Sequence, residues 1–420
     1  MAAIDTPVAL LGYGTVGAAV DRLLTEQAED IERATGHRLR VVKALVRDTT
    51  KQRPVSVTTD IAEILDDPSI LVVAEVMGGL DPAGEYVREA LRRGKHVVTA
   101  NKQLVARHGA ELFSAAEQAG VQLRFEASVC GAIPVIKVLR ESLVVAHVHR
   151  VLGIVNGTTN FLLTEMESGA TYVDALADAQ ARGFAEADPT DDVSGADAAA
   201  KIAILATVAF NSRVGIDDVA YRGLEIVDDA DVSAARELEM VIRLVGDARL
   251  TDGSVEASVS PALVSRHHPL ANVAGAFNAV MLQGDAIREV TLEGPGAGGT
   301  ETASAVIADL VSVIGTMGTG FLQNDAAWRE LPLLPAGESR SPFYFRLSVE
   351  DRAGTLARVA EELAERGVSV ARLVQHPDGD GATLVVVTHD ATRGAVDAAL
   401  DAIAELPQVH ARPHALPVIA

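Results

Sequence analysis

Short apolar runs alternate with helical patterns through the N-terminal third of the chain. An apolar run at residues 8–11 precedes a helical pattern at residues 18–24. One later helix is expected to begin after Asp81, a capping residue, with Pro82 at its first position. Alternating strands and helices favour a doubly wound parallel sheet, the architecture of an α/β domain. Further strands of this sheet are predicted at residues 41–46, 71–76, 96–99 and 122–125.

A different pattern follows in the middle of the chain. The Ala-rich run at residues 196–209 contains no Gly or Pro and predicts a buried helix. A second apolar helix is expected at residues 306–314. Together with predicted strands, the Ala-rich helix indicates an α+β middle domain. The strands are expected at residues 144–151, 250–264 and 273–290.

Prolines punctuate residues 331–342, which are therefore the predicted boundary of a third unit. Beyond this boundary the order of predicted elements is strand, helix, strand, strand, helix and strand. This βαββαβ order predicts a small α+β module. Its strands are expected at residues 343–349, 368–375, 382–389 and 409–415, and its helices at 355–366 and 393–404.

Composition narrows the class of protein. A chain of 420 residues, 48% of them hydrophobic, suggests two or three domains, and no apolar run is long enough to span a membrane. The net charge of −22 argues against binding to a phosphate backbone, so no nucleic-acid partner is expected. The single cysteine, Cys130, permits no intrachain disulfide and fits a reducing compartment. Because the N-terminus lacks signal-peptide features, we expect a cytoplasmic protein with no membrane partner.

A glycine-rich turn follows the first predicted strand. Gly12, Gly14 and Gly17 form a GxGxxG pattern between a strand and a helix, which is the setting of a dinucleotide-binding turn. In such a turn Gly12 permits the tight bend, Gly14 lets the backbone approach a pyrophosphate, and Gly17 allows close packing. Free N–H groups at the start of the helix supply positive potential for the phosphates. A nicotinamide dinucleotide is therefore the expected cofactor.

The tip of the second predicted strand carries the charges that distinguish NAD from NADP. NAD sites commonly have a carboxylate here for the ribose 2′-hydroxyl. In this chain Arg47 lies at the tip, Asp48 follows it, and Lys51 and Arg53 are close in sequence. Because an arginine can pair with a 2′-phosphate, we expect NADP(H) to be preferred, while Asp48 leaves the use of NAD(H) open. Solvated surface charges are the alternative interpretation.

An acidic stretch precedes one lysine in the middle of the chain. Asp197 and Lys201 are spaced i and i+4, so they face the same side of the predicted helix, among small and apolar neighbours. A lysine held by a carboxylate there could donate a proton to an oxygen that gains negative charge. A surface ion pair beside an acidic loop is the alternative. Ser194 is predicted to start this helix through a capping box with Asp197. The other carboxylates of the stretch are Glu186, Asp188, Asp191 and Asp192.

Three further segments place suitable groups where ligands would bind. Lys102 follows a predicted strand and so lies at the carboxyl edge of the sheet, where ligands bind in this architecture. Residues 153–160 offer hydroxyls and free N–H groups at a predicted helix start, suited to a carboxylate, although a helix cap alone is the alternative. The glycines of residues 294–299 would permit close approach of the backbone to a ligand.

Together these motifs resemble those of homoserine dehydrogenases that carry a C-terminal ACT regulatory domain. The family reduces L-aspartate 4-semialdehyde to L-homoserine with NAD(P)H, on the route to threonine and methionine, so this reversible reaction is the implied activity. The resemblance is most specific at residues 183–201. Phe184 stands where the family often has tyrosine, and Glu301 replaces the usual proline. The matching stretches, which span the whole catalytic portion, are residues 12–17, 99–102, 126–134, 153–160, 183–201 and 294–304.

The resemblance implies a role for each matching residue. Lys201 would donate the proton to the aldehyde oxygen, with Lys102 and Asp197 as its catalytic companions. The implied substrate contacts are Glu186, Asp192, Asp197, Gly157, Thr158 and Gly183. The implied cofactor contacts are Gly12, Gly14, Thr15, Val16, Gly17, Arg47, Thr99, Asn101, Lys102 and Gly298. A structural sodium ion would take oxygen ligands, as hard cations do, from Glu126, Val129, Gly131 and Ile133.

The resemblance also implies how the chain is divided. The C-terminal module would bind L-threonine as a feedback inhibitor near Asp351 and Gly354, or would serve only as an appendage that mediates dimerisation. A homodimer or homotetramer is expected. The predicted units are a Rossmann-type NAD(P)-binding domain at residues 1–140, completed by a helix at 300–325, a substrate-binding and dimerisation domain at 141–300, a linker at 326–342, and the ACT domain at 343–420.

Three functional hypotheses follow. The first is an active homoserine dehydrogenase regulated by threonine. The second is an amino-acid sensor without turnover, against which the joint presence of Lys102, Asp197 and Lys201 argues, because a binding protein need not keep all three. The third is a related Rossmann dehydrogenase for another small aldehyde or keto acid, which substrate screening would separate from the first.

Overall fold

The N-terminal part of the chain folds as a six-stranded sheet with helices on both faces. The computed structural model describes residues 3–317, 330–378 and 381–419. The strands of this part are β1 (Ile4–Leu11), β2 (His37–Leu45), β3 (Ser56–Thr58), β4 (Val72–Glu75), β5 (His96–Thr99) and β6 (Leu123–Arg124). Its helices are α1 (Thr15–Glu26), α2 (Ala28–Thr35), α3 (Ala62–Leu65), α4 (Ala83–Arg92) and α5 (Lys102–Ala119).

The strand order of this sheet is β3-β2-β1-β4-β5-β6, with every neighbouring pair parallel. Apolar side chains of β1 serve two cores, since Leu10 packs in the cluster of α1 and Leu11 in the cluster of α4 and α5. Strands buried on both faces are nearly continuous apolar runs, which is why they could be predicted. The predicted doubly wound parallel sheet is confirmed. Pro82 rather than Asp81 is the residue that precedes α4, so the predicted cap is wrong.

The middle of the chain builds a second, mainly antiparallel sheet with a buried helix on one face. Its strands are β7 (Val148–Ile154), β8 (Ala220–Tyr221), β9 (Met240–Thr251), β10 (Ser254–Ser265), β11 (Phe277–Gly284) and β12 (Arg288–Pro295). The helices of this part are α6 (Val135–Lys137), α7 (Gly157–Glu167), α8 (Tyr172–Ala181), α9 (Thr190–Val193), α10 (Ala196–Phe210), α11 (Asp229–Glu237) and α12 (Gly299–Thr316).

The long hairpin of β9 and β10 supports α10. A Cβ at Gly246 of β9 would overlap the side chain of Ile202, so the helix lies directly on the strand. Because side chains alternate along a strand, Asp247 points to the opposite face of the sheet. The single strand predicted at residues 250–264 is wrong, since the chain turns at Asp252 and Gly253, both with positive φ, and pairs residue by residue with β9.

Helix α12 returns to the first sheet after the middle domain. Val306, Leu310 and Val313 are fully buried in the core that contains α1 and β1. The helix therefore packs where the sequence predicted a completing element, and the part of that prediction beyond residue 317 lies outside the described residues. Among the described residues, no helix has an apolar stretch that could cross a bilayer.

The C-terminal module has the predicted βαββαβ order. A short extra pair, β13 (Arg340–Ser341) with β17 (Ala391–Thr392), was not predicted, and the last strand begins at residue 415 instead of covering residues 409–415. The strands are β13 (Arg340–Ser341), β14 (Phe343–Glu350), β15 (Val370–Asp378), β16 (Gly381–Thr388), β17 (Ala391–Thr392) and β18 (Ala415–Ile419). The helices are α13 (Thr355–Glu365) and α14 (Arg393–Ala404).

Strand β18 belongs to both the module and the middle sheet. It pairs antiparallel with β14 and parallel with β10, which gives the continuous order β12-β11-β7-β9-β10-β18-β14-β16-β15. The predicted linker is also held in place, because Leu333 forms a β-bridge with Val255; its residues 326–329 lie outside the described structure. The module is therefore docked on the middle sheet rather than tethered to it. The exact domain limits stay predictions.

Candidate active site

The glycine turn between β1 and α1 opens onto a crevice at the carboxyl ends of the strands. A Cβ at Gly12 would lie 3.0 Å from the carbonyl oxygen of Val76, and one at Gly17 would lie 2.5 Å from the oxygen of Gly12, so packing excludes side chains at both. Around Gly14, by contrast, nothing lies within 4 Å of the Cβ position. The crevice beside Gly14, which we name the glycine crevice, has a volume of about 650 Å³. This space, next to the start of α1, suits a pyrophosphate.

Charged side chains after β2 line the same crevice. The Asp48 carboxylate accepts hydrogen bonds from the hydroxyl and N–H of Thr50, at 2.6 and 2.9 Å. These bonds, helped by the nearby charges of Lys51 and Arg53, lower the pKa of Asp48. Within the described structure the side chains of Arg47 and Lys51 make no hydrogen bond or ion pair. The Asp48 carboxylate is thus held by hydrogen bonds within a local turn, while the charges of Arg47 and Lys51 remain available to a ligand.

The loop before α12 reaches the glycine turn from the other side. A Cβ at Gly299 would lie 2.7 Å from Cγ2 of Thr15, so the starts of α1 and α12 are in contact. Gly298 has a φ of +140°, a conformation that essentially only glycine adopts, and the carboxylate of Glu301 fills the place of its missing side chain. Val16 packs at the edge of the core shared with α12. The structure therefore brings Gly298, Thr15 and Val16 together, as the predicted cofactor site requires.

A buried carboxylate orders the turn after β5. Glu75 is fully buried at the end of β4 and accepts a hydrogen bond from the Thr99 hydroxyl at 2.6 Å. Burial raises the pKa of Glu75, while its hydrogen bonds act in the opposite direction. Asn101 caps α5 by accepting a hydrogen bond from a backbone N–H of its first turn at 3.1 Å. Thr99 and Asn101 thereby fix the point at which Lys102 leaves the sheet.

Three charged side chains meet beyond this turn, and we name them the lysine–carboxylate cluster: Lys102, Asp197 and Lys201. Lys102 donates a hydrogen bond to Oδ1 of Asp197, and Lys201 donates one to Oδ2 at 2.8 Å. Lys201 also donates to the carbonyl oxygen of Val155, just after β7, at 2.7 Å. Because an ammonium has three N–H groups, one remains on Lys201 for another acceptor. The structure thus joins all three predicted catalytic residues.

Charge outweighs burial within the lysine–carboxylate cluster. Burial alone would raise the pKa of Asp197, but the charges of Lys201 and Lys102 lower it well below its usual range. Burial alone would lower the pKa of Lys201, but the charge of Asp197 reverses the effect and raises it. Both shifts favour the ionised forms. Lys201 is therefore held as an ammonium.

Asn156 joins the two carboxylates of the site, and sequence reasoning did not single it out. Its Nδ2 donates to Oδ1 of Asp192 at 2.7 Å and to Oδ2 of Asp197 at 2.8 Å. Its Oδ1 accepts the N–H of Thr159 at 2.8 Å and so caps α7. An asparagine before a helix is an ordinary cap, and that was the only local signal. The second role depends on tertiary contacts.

The predicted substrate residues at the start of α7 lie beside Asp192. The Thr158 hydroxyl lies 3.0 Å from Oδ2 of Asp192 and 2.7 Å from the carbonyl oxygen of Phe184, and its single proton is shared between these two acceptors. Gly157 is the first residue of α7, and a Cβ there would lie 2.6 Å from the carbonyl oxygen of Ala276. Glycine at this position is therefore required by packing as well as by access to the helix N-terminus.

The acidic loop before α10 contributes less to the cluster than the sequence suggested. Gly183 has a φ of +76° where the chain leaves α8, and Glu186 is exposed, with no hydrogen bond or ion pair from its carboxylate to any described residue. The predicted capping box is wrong, because Gly195, not Ser194, precedes α10 and no side chain caps the helix. Asp197 turns toward the two lysines instead.

The segment after β6 contains the predicted sodium ligands. The buried Glu126 accepts backbone N–H groups of Ile136 and Lys137 at 2.8 and 2.7 Å, at the start of a helical segment. Burial, together with the charge of Asp309, raises the pKa of Glu126 to about 7. Among the described residues, no group of three or more His, Cys, Asp or Glu side chains could hold a metal ion. An ion here would depend on backbone oxygens.

Several polar atoms near Glu126 lack partners. In the part of the chain that the structure describes, the carbonyl oxygens of Val129 and Gly131 accept no backbone hydrogen bond. Asn278 is fully buried, and its amide has no hydrogen-bond partner among the described residues apart from a weak contact with the Cys130 thiol. Ile133 is buried and its carbonyl accepts from Val135 at 2.8 Å. Orphaned oxygens of this kind fit a small hard cation.

Comparison with known proteins gives one consistent result. Family models match residues 12–126 (homoserine dehydrogenase, NAD binding domain), 134–311 (homoserine dehydrogenase) and 343–408 (ACT domain). The homoserine dehydrogenase of Mycobacterium bovis is 46% identical over 96% of this chain and 95% of its own length. A crystal structure of the enzyme from Thiobacillus denitrificans, 38% identical, covers 100% of this chain and 99% of its own with a TM-score of 0.93.

A hyperthermophilic archaeal homoserine dehydrogenase mutant in complex with NADPH is more distant. It is 30% identical, covers 74% of this chain and 98% of its own, and has a TM-score of 0.63. The glycine crevice and the lysine–carboxylate cluster lie within the segments that the two homoserine dehydrogenase models match. Because the Mycobacterium bovis enzyme is 46% identical over 96% of this chain, the chain belongs to the homoserine dehydrogenase family of NAD(P)-dependent oxidoreductases, and it carries a C-terminal ACT domain.

Proposed function

We propose that this chain catalyses the reversible, NAD(P)H-dependent reduction of L-aspartate 4-semialdehyde to L-homoserine, a step toward threonine and methionine. The observation that carries the proposal is the lysine–carboxylate cluster, whose Lys102 follows β5 at the same carboxyl edge of the first sheet as the glycine turn after β1. Buried ion pairs add little stability compared with apolar packing of the same volume. Ionised groups in this place therefore favour a chemical role.

The lysine–carboxylate cluster would move one proton during the reaction. When bound, the nicotinamide would supply the hydride that adds to the aldehyde carbon. Lys201 would donate a proton from its remaining N–H to the aldehyde oxygen as that oxygen gains negative charge. Asp197 and the Val155 carbonyl fix the direction of that N–H, because they occupy the other two. Lys102 would add a second positive charge beside the same oxygen.

The amino-acid part of the substrate would bind between α7 and the acidic loop. Its carboxylate suits the free N–H groups of Gly157 and Thr158 at the start of α7. Its ammonium group suits Asp192, whose side chain Asn156 and Thr158 hold in place. Glu186 has no partner among the described residues, so its carboxylate is available to the same ammonium. Gly183, with its positive φ, lets the chain turn into this loop.

NADP(H) would be the preferred cofactor, with NAD(H) also accepted. Arg47 and Lys51 line the crevice without partners in the described structure and could bind a 2′-phosphate through charge-assisted hydrogen bonds. Asp48 is engaged by Thr50 and is less suited to a ribose 2′-hydroxyl. The NADPH complex of the archaeal relative supports this preference.

A structural sodium ion would complete the segment after β6. The residues fit it, because the carbonyl oxygens of Val129 and Gly131 lack backbone partners and Glu126 adds a carboxylate. The consecutive positive φ values of Cys130 and Gly131, 55° and 53°, bend the backbone between those carbonyls. The ion would hold this loop in position and would not enter the reaction.

The remaining proposals concern regulation and assembly. The ACT domain would bind L-threonine as a feedback inhibitor, and the middle domain would pair two chains into a homodimer or part of a homotetramer. A cytoplasmic location is supported by Cys130, a free and buried thiol, which suits a reducing compartment.

Substrate-dependent oxidation of NADPH and NADH tests the proposed reaction. The wild-type chain should oxidise NADPH with L-aspartate 4-semialdehyde and should be much slower with succinic semialdehyde, which lacks the ammonium group. Equal rates with the two aldehydes would indicate a dehydrogenase of another substrate class. No turnover with either cofactor, beside measurable binding of threonine, would favour the sensor.

A further inference from the structure

A cavity lies between the middle sheet and the C-terminal module, and we name it the interdomain cavity. Its floor is the face of β9 and β10 opposite α10, and the C-terminal module covers it from above. Its volume of about 230 Å³ is smaller than the roughly 300–1,000 Å³ of drug-sized ligand sites. Junctions between domains are common ligand sites. A small metabolite would fit. The residues that matter for its chemistry are Arg222, Glu256, Ser258, Arg393 and Asp397.

Arg222 brings an unpaired positive charge to this cavity. It follows β8, whose Ala220 pairs with Ser258 of β10, so alternation places Arg222 on the same face as Ser258. Its side chain makes no hydrogen bond or ion pair with the residues that the structure describes. Burial and the charge of Arg393 lower the pKa of Arg222. A bound anion would relieve this crowding of cations.

Arg393 adds a second guanidinium from the C-terminal module. Its Nε lies 3.0 Å from a carboxylate oxygen of Asp397, and its Nη1 donates to the carbonyl oxygen of Ala415 at 3.3 Å. Nη2 is buried and has no hydrogen-bond partner within the described structure. A buried donor without a partner is costly, and Arg393 lines the cavity, so its guanidinium would be stabilised by an acceptor brought against it. The two arginines come from different units, and a ligand between them would bridge the units.

Glu256 supplies the opposite charge on the floor of the cavity. It is half-buried and stands opposite Arg249 in the β9–β10 register. Arg249, however, is held by Asp247 at 2.6 Å, and the Glu256 carboxylate accepts no hydrogen bond from any residue the structure describes. The hydroxyl of Ser258 lies between Arg222 and Glu256 in the register. The cavity therefore presents an available cation, an available anion and a hydroxyl on one surface.

We propose that the interdomain cavity binds the zwitterionic end of an α-amino acid, with the carboxylate at Arg222 and Arg393 and the ammonium at Glu256. A ligand with both charges matches this surface better than a simple anion, which Glu256 and Asp397 would repel. The inference rests on the regulatory part of the proposed function and gives it a site. That site differs from the loop near Asp351 that the sequence suggested.

Strand β9 separates the interdomain cavity from helix α10, which carries Lys201. Asp247 faces the cavity, and its neighbour Gly246 is in direct contact with Ile202 of α10. Ile202 directly follows Lys201, so a shift of β9 moves the helix that carries the proton donor. Close-packed contacts transmit such displacements because they leave no space to absorb them. Binding in the cavity would therefore change turnover.

Isothermal titration calorimetry on the full chain tests this proposal. L-Threonine, L-methionine, L-isoleucine and L-lysine are titrated separately into the wild type, Arg222→Gln and Glu256→Gln. Arg288→Gln, at an exposed arginine of β12, is the matched control. Asp351→Asn reports on the loop of the C-terminal module, and Lys201→Ala on the active site. Thermal melting of each variant shows whether it is folded, and both cavity side chains are partly or fully exposed, so loss of the fold is not expected.

The proposal predicts that at least one of the four amino acids binds the wild type. Its affinity should fall roughly 10-fold or more in Arg222→Gln and in Glu256→Gln, because each change removes a charged partner. The affinity should stay at the wild-type value in the three other variants. Absence of binding by all four amino acids would overturn the proposal. So would wild-type affinity in Arg222→Gln with loss in Asp351→Asn or Lys201→Ala.

The outcome is separable from that of the proposed reaction. Homoserine oxidation with NADP⁺, assayed without any added effector, should proceed at the wild-type rate in Arg222→Gln. A wild type that does not oxidise homoserine, but binds an amino acid through Arg222, would overturn the proposed reaction and leave the site in place.

Discussion

Lys201 and Asp197 lie one helical turn apart in α10, with Nζ 2.8 Å from Oδ2, and both side chains are almost completely buried. The other oxygen of Asp197 accepts a hydrogen bond from Lys102, the first residue of α5, a helix that packs against the first sheet. The lysine–carboxylate cluster therefore exists only while the two sheets are docked against each other. Catalytic geometry and domain arrangement depend on the same contact.

Asn156→Asp should separate helix capping from the support of the active site. Aspartate keeps an acceptor for the N–H of Thr159 and is a good cap, but it cannot donate to Asp192 and Asp197. We expect kcat/KM for L-homoserine to fall roughly 10- to 100-fold or more, since hydrogen bonds to charged groups contribute about 1.5–3 kcal/mol each. Steady-state kinetics measures the loss.

Asn156→Ser is the matched control for the cap, because serine also caps helices but reaches less far. Both variants should be slow, and Asn156→Asp should melt at the lower temperature, because its carboxylate would lie against those of Asp192 and Asp197. Wild-type kcat/KM in either variant would show that the amide does not position the carboxylates.

Gly17→Ala should destabilise the fold, whereas Gly14→Ala should leave its stability nearly unchanged. A Cβ at Gly17 would lie 2.5 Å from the oxygen of Gly12, and such overpacking typically lowers the free energy of unfolding by about 1–3 kcal/mol. Gly14 has open space and a φ of −87°, which alanine adopts. Gly14→Ala should leave the free energy of unfolding within about 0.5 kcal/mol of wild type.

Cofactor affinity should nevertheless fall in Gly14→Ala, by roughly tenfold or more, because a methyl group would separate the backbone from the pyrophosphate. Urea denaturation and fluorescence titration with NADPH measure the two effects. An unchanged affinity for NADPH in Gly14→Ala would place the pyrophosphate elsewhere.

Arg47→Ala should reduce the preference for NADPH. Loss of a charge-assisted hydrogen bond to the 2′-phosphate costs about 1.5–3 kcal/mol, which is roughly a 10- to 150-fold rise in KM for NADPH. The KM for NADH should change less than twofold. Arg40→Ala, at an exposed arginine that pairs with Asp5 on β1, is the control. An equal rise for both cofactors would assign Arg47 to a different contact.

Sodium should stabilise the protein more at alkaline than at acidic pH. In the absence of the ion, the folded-state pKa of Glu126 is raised from 4.5 to about 7, so the folded state binds the proton more tightly than the unfolded chain. The free energy of unfolding should then decrease as pH rises from about 4.5 to about 7. Sodium binds the deprotonated carboxylate, so its stabilising effect should grow through the same interval.

Thermal melting in sodium chloride and in choline chloride, at equal ionic strength, measures this difference. Glu126→Gln should reduce the sodium effect at alkaline pH to that seen at acidic pH. A sodium effect that is the same at every pH, or that persists in Glu126→Gln, would place the ion at another site.

Local signals in the sequence predicted the first sheet and the contact between Asp197 and Lys201. Buried parallel strands and the GxGxxG turn depend on neighbours in the chain, and the spacing of Asp197 and Lys201 sets their contact within one helix. The βαββαβ order of the C-terminal module was predicted for the same reason. The predicted capping box of Ser194 failed because Asp197 makes stronger bonds to two lysines from the tertiary structure.

Tertiary contacts account for what the sequence did not reveal. Strand β9 was missed because it carries Arg243 and Asp247, whose charges look exposed in the sequence but are held in partly buried ion pairs with Glu167 and Arg150. The bridging amide of Asn156 looked like an ordinary cap. The pairing of β18 with both β10 and β14 is set by the docking of two units, and no local pattern encodes it.

The most direct test of the central claim is a single turnover of NADPH with L-aspartate 4-semialdehyde in wild type and Lys201→Ala. Binding of NADPH is measured in parallel, because the lysine lies outside the glycine crevice. The account predicts wild-type NADPH affinity in the variant and a rate of hydride transfer lower by about 10²–10⁴-fold, the contribution of a positioned acid. A variant that binds NADPH and transfers hydride at the wild-type rate would contradict the assignment of Lys201 as the proton donor.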